Sequence, residues 1–151
     1  MTTTDLAAQP VGYWTGVAYE AIIRFIRDQQ KALGYTQPQF WLLRNLSPAD
    51  LSPDGHAMTV AELEAAMSTY LRREDDLAAE AGVLVGRGWL AREAGDRLRI
   101  TEAGEAALAD LKKNTPAIRD RIHEGIDDAD YIVTVKVLQQ MIRNVGGTGM
   151  L

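Results

Sequence analysis

The stretch GWLAREAGDRLRITEAG, residues 88–104, is the most informative part of this sequence. Residues 89–93 and 97–100 read as two short strands. Ala94-Gly95-Asp96 joins them in a short, tight hairpin. Leu98 and Ile100 share one face of the second strand, and Arg97 and Arg99 share the other. Thr101 stands where a helix N-cap belongs. A helical pattern upstream ends at Arg87-Gly88. The order is therefore helix, hairpin, helix, with a basic side chain at the hairpin tip.

Working outward, residues 11–33 place Trp14, Val17, Ala18, Ala21, Ile22, Phe25 and Ile26 at helical spacing, and Gly34 ends that helix. Thr36-Gln37-Pro38-Gln39 is a capping box with proline in the first turn, opening a helix with Phe40, Trp41, Leu43 and Leu46. Residues 47–58, rich in Pro, Gly, Asp and Ser, read as loop. Thr59 to Glu62 is a second capping box, opening a short helix with Leu63, Ala66 and Met67 inward. The next helix is expected over residues 73–87, with Leu77, Ala81 and Leu84 inward. Thr101 opens a helix towards residue 123 that Pro116 should kink or break. Asp127-Asp128 then open a last helix with Ile132, Val135, Leu138 and Ile142 inward. The expected class is mainly α with a small β-hairpin: a winged helix-turn-helix lobe plus a helical dimerisation lobe. The lobes fall at residues 34–100 and at 11–33 with 101–146, between a flexible arm (1–10) and a flexible tail (147–151).

Composition narrows the function. No apolar run approaches the roughly 18 residues of a membrane span. The segment MTTTDLAAQP lacks the features of a secretory signal. The chain has no cysteine, which excludes disulfides and thiol chemistry. A cytoplasmic protein with no membrane partner is expected. The net charge of −5 argues against coating nucleic acid non-specifically but allows a local basic patch. His56 and His123 are isolated in sequence, so no metal and no cofactor are expected. Ser68-Thr69 has no histidine near it and suits a cap or turn. No phosphate loop or nucleophile elbow appears, so an enzyme is not expected.

Read in order, the elements resemble the MarR family of bacterial transcription regulators, over roughly residues 11–146. The resemblance rests on Arg87-Gly88-Trp89-Leu90 leading into the wing, Gly95-Asp96-Arg97 at its tip, and Ile100-Thr101-Glu102-Ala103-Gly104 opening the next helix. The closing helix DDADYIVTVKVLQQMIRNV is also similar to the family's. The resemblance implies a homodimer on a pseudo-palindromic double-stranded DNA operator. It also implies a small aromatic ligand that releases the DNA.

On that basis Arg97 is expected to enter the minor groove with help from Asp96, while Arg99 and Arg92 contact phosphate or remain plain surface. The family's base-reading positions fall near Glu74, Asp75, Asp76, Ala78 and Ala79, an acidic set unsuited to a groove. The residues 68–87 carry three cations against four acids. Two alternatives follow. Either the recognition helix is shifted, with Ser68, Thr69, Tyr70, Arg72 and Arg73 at the DNA, or sequence-specific binding has been lost and the dimer binds ligands or proteins. Tyr13, Trp14 and Trp41 are candidates to line a ligand crevice, against the plainer reading of an aromatic core.

Overall fold

The computed structural model describes residues 2–148. In the N-terminal arm, helix α1 (Thr3–Ala7) forms where an irregular segment was expected. A capping box explains it: Thr2 Oγ accepts from the Asp5 N–H, and the Asp5 carboxylate accepts from the Thr2 N–H. Of the tail expected at 147–151, residues 149–151 lie outside the described residues.

Helix α2 (Val11–Ala32) ends at Leu33, and Gly34 takes the left-handed conformation after it (φ 91°). Helix α3 (Gln37–Leu46) starts on the Thr36–Gln39 capping box, with Pro38 in its first turn. Strand β1 (Met58–Thr59) leads directly into helix α4 (Val60–Ala66), capped by Thr59 and Glu62. Leu63 and Met67 are buried, but Ala66 is exposed rather than inward. Helix α5 (Leu77–Gly86) precedes β2 (Leu90–Glu93) and β3 (Arg97–Ile100). The hairpin pairs Leu90 with Ile100 and Glu93 with Arg97, antiparallel. Two-residue β1 adds a third strand, Met58 pairing with Leu98 on the other side of β3. Helix α6 (Glu102–Lys112) follows Thr101, and α7 (Thr115–His123) begins beside Pro116, so the expected break is real. Helix α8 (Asp128–Asn144) closes the chain.

The chain forms two compact units, Met1–Thr115 and Pro116–Leu151. Helices α2 and α6 therefore group with the sheet and α3–α5. The core of the first unit joins Leu42, Leu43 and Leu46 of α3 to Leu63 and Met67, Leu77 and Leu84 of α5, Leu90, Leu98 and Leu108. Helix α2 contributes little to it. Trp14, Val17, Ala18, Ala21 and Ile22 are exposed, and the apolar stripe becomes half-buried only from Ile23 onward. In the second unit Val135 and Leu138 are half-buried, but Ile132 and Ile142, expected inward, are exposed, because nothing in that unit covers them. No helix among the described residues is long and apolar enough to cross a membrane.

Gly104 fixes how the hairpin meets α6. A side chain there would collide with the Trp89 carbonyl oxygen and Ile100 Cγ1. That carbonyl accepts from the Thr101 N–H (3.0 Å) and hydroxyl (3.1 Å). The Thr101 hydroxyl also reaches the Gly88 carbonyl at 2.6 Å. The Thr-Glu-Ala-Gly signature thus clamps the helix start to the hairpin root.

Candidate nucleic-acid interface

Helix α5, the helix before the hairpin, starts later than the expected residue 73. Asp76 is its N-cap, accepting from the Ala79 N–H at 3.0 Å. The acidic run before it is used structurally. Glu74 pairs with Arg72 Nε at 2.9 Å. Asp75 turns inward to Arg27 at 2.7 and 2.8 Å, a two-point guanidinium–carboxylate pair. Burial alone would push the Asp75 carboxyl up. The Arg27 guanidinium and the Arg72 N–H together outweigh it and hold the group below the usual carboxylate range. The helix start therefore moves later, not earlier: residues 68–73 precede the helix rather than open it, and the three acids do not lie on its face.

That outer face is almost featureless. Leu77, Ala81 and Leu84 face the core, leaving Ala78, Ala79, Val83 and Gly86 exposed, with Gly82 half-exposed among them. Val83, at 44% exposure, is the one large side chain in this set. Glu80, the helix's single charge, accepts from the Thr36 hydroxyl at 2.8 Å. No exposed side chain between Leu77 and Gly86 carries a hydrogen-bond donor or acceptor. Such a face can approach a major groove closely and touch thymine methyls, but it cannot form the paired hydrogen bonds that read guanine or adenine.

The wing bears three exposed arginines. Arg97 folds back from the tip, where its Nη1 meets the Ala57 carbonyl and the Glu62 carboxylate, each at 3.2 Å. Glu62 and Ala57, not Asp96, hold it. Asp96 instead supplies the left-handed turn residue (φ 54°) beside Gly95. Arg99 pairs with Glu93 across the hairpin at 2.7 Å. Arg92 is exposed and makes no ion pair among the described residues, as does Arg73 before α5.

The remaining candidates separate. Ser68 and Thr69 are exposed in the turn after α4. Tyr70 is half-buried and stacks on Trp41 (centroids 3.9 Å apart, 9° between planes). Arg44 lies 4.5 Å from the Trp41 ring. Trp41 thus belongs to a packed aromatic stack at the core edge. Tyr13 and Trp14 meet edge to face at 5.3 Å and are exposed on α2. No ring contact links that pair to Trp41 among the described residues. Arg72 is spoken for by Glu20 and Glu74, which raise its pKa further above the usual arginine value. No cluster of potential metal ligands occurs among the described residues.

No family model matches the sequence, and no curated protein is similar to it. Solved structures are. Wild-type apo MarR from E. coli is 18% identical with a TM-score of 0.66, over 89% of this chain and 97% of that one. BpsR of Bordetella bronchiseptica, whose DNA binding is regulated by 6-hydroxynicotinic acid, is 22% identical with a TM-score of 0.61, over 89% and 94%. A MarR transcriptional regulator from Methanosarcina mazei is 19% identical with a TM-score of 0.61, over 89% and 88%. The chain therefore has the winged-helix fold shared by the MarR transcriptional regulators.

Proposed function

We propose that this chain is a homodimeric, DNA-binding transcription regulator of the MarR type. The observation that carries the reading is a surface-exposed α5 beside a ribbon bearing Arg92, Arg97 and Arg99, on the frame that MarR and BpsR use. The arginines supply phosphate and minor-groove contacts, and α5 supplies close apolar approach to the major groove. Homodimerisation is supported by the exposed apolar side chains of α2 (Val17, Ile22) and α8 (Ile132, Val133, Val137, Met141). Two-fold symmetry then matches a pseudo-palindromic operator. The exposed Tyr13–Trp14 pair suits a small aromatic effector, and BpsR's response to 6-hydroxynicotinic acid makes that ligand class the first to try.

A second reading has its own observation. The bare outer face of α5, with Arg97 and Arg99 already paired to glutamates, suits a winged-helix dimer that has given up sequence-specific DNA for ligand or protein binding. Selection of genomic fragments by the purified chain at low salt separates the two. Recovery of discrete fragments containing inverted repeats supports the regulator. Recovery of no enriched fragment removes it and leaves the second reading.

A further inference from the structure

The structure ties α2 to the segment that opens α5 by two charged rungs. Glu20 and Arg27 lie seven residues apart, hence on one face of α2 and about 10 Å apart along it. Arg27 grips Asp75 with both terminal nitrogens, while its Nε donates to Gln37 Oε1 at 2.9 Å. The Asp75 side chain is 7% exposed and that of Arg27 is 22%. Asp75 Oδ2 also accepts from the Arg72 N–H at 2.7 Å, so the same carboxylate shapes the turn before α5. Glu20 holds the Arg72 guanidinium at 2.9 Å in the more exposed outer rung. Asp76, the next residue, caps α5. Further along, Thr36 to Glu80 and Arg87 to the Gly34 carbonyl fasten α5 to the turn between α2 and α3.

We propose that Arg27 and Asp75 are positioning residues for α5. They lock its N-terminal end to α2, so a displacement of α2 moves the recognition helix with it. The inference rests on the reading of α5 as a DNA-contacting helix. Its physical content is rigidity: a two-point pair fixes orientation as well as distance, unlike a single point charge. The exposed face of the same helix α2 is the one proposed to meet the second copy. The pair is therefore the route by which a change at that face would reach the DNA.

The test uses the full chain and two readouts. Hydrogen exchange is followed by peptide in wild type, Asp75→Asn, Arg27→Met and the milder, surface-exposed Glu20→Gln. The expected result is exchange at least about tenfold faster over residues 77–86 in the two inner-rung variants, with α3 and α6 unchanged. A smaller increase in the same segment is expected for Glu20→Gln. The charge-reversed double variant Arg27→Asp/Asp75→Arg should recover only part of the protection, because it restores the ion pair but not the acceptor for the Arg72 N–H. Unchanged exchange over 77–86, or an equal loss across α3, α5 and α6, overturns the proposal. In parallel, the inner-rung variants should bind a fragment selected by wild type about tenfold more weakly while remaining folded. If wild type binds no fragment, the DNA reading fails and the exchange result still decides whether the pair positions α5.

Discussion

Replacing Gly104 with alanine should destabilise the protein, although alanine is ordinarily the better helix residue. The added methyl would run into the Trp89 carbonyl oxygen and Ile100 Cγ1. The carbonyl cannot retreat freely, since it accepts from both the N–H and the hydroxyl of Thr101. Overpacking costs about 1–3 kcal/mol. Losing one of the two hydrogen bonds adds about 1 kcal/mol. Alanine's helix propensity returns about 1 kcal/mol. The net expectation is destabilisation by about 1–3 kcal/mol, measured as a lower urea midpoint at unchanged slope. Ala103, one residue earlier, is exposed, and Ala103→Gly should lose only the propensity difference of about 1 kcal/mol. A Gly104→Ala variant as stable as wild type would refute the close-approach argument.

Three further outcomes are expected. Val137→Asp puts a charge on an exposed apolar face of α8, so the variant should stay folded but sediment as a monomer while wild type should sediment as a dimer; a dimeric variant would place the interface elsewhere. Asp75 and Asp50 both titrate below the ordinary carboxylate value, Asp50 because Arg44 and Lys112 outweigh the effect of its burial. Their contribution to stability is full above about pH 4 and is lost as the pH falls further, since the unfolded carboxylates bind protons first. Urea midpoints across pH 2–6 should show that loss, and Asp75→Asn should flatten it; an equally steep decline in the variant would contradict the assignment. Glu62→Gln removes the charge that draws Arg97 back yet can preserve the reciprocal bond to the Thr59 N–H, so DNA affinity should rise about two- to fivefold, the worth of an exposed ion pair. Unchanged affinity would mean that Glu62 does not compete for Arg97.

Local chemistry made much of the fold legible. The boxes at Thr36–Gln39 and Thr59–Glu62, the Thr101 cap, the Gly95-Asp96 turn and Pro116 each act within a few residues, and each marks a boundary that the structure keeps. The start of α5 was less legible, because three consecutive acids offer three possible caps. The choice of Asp76 depends on Asp75 having a partner 48 residues away at Arg27. The same holds for the wing. Nothing near Arg97 in sequence announces Glu62, 35 residues earlier, as its partner. Strand β1 is two residues long and gives no periodic signal. The α1 capping box lies in the sequence as Thr2 and Asp5, but a helix of five residues has no apolar periodicity to set beside it. Apolar periodicity identified α2 and α8 as helices, but it could not say that their stripes stay uncovered within one chain.

The most direct test of the account is the salt dependence of binding to a selected DNA fragment, for wild type and Arg97→Ala. Wild-type affinity should fall steeply and linearly on a log–log plot as salt rises. Arg97→Ala should lose about 1–3 kcal/mol of binding and show a shallower slope. Wild-type binding that ignores salt, or an Arg97→Ala variant with the wild-type curve, would contradict a DNA-binding wing.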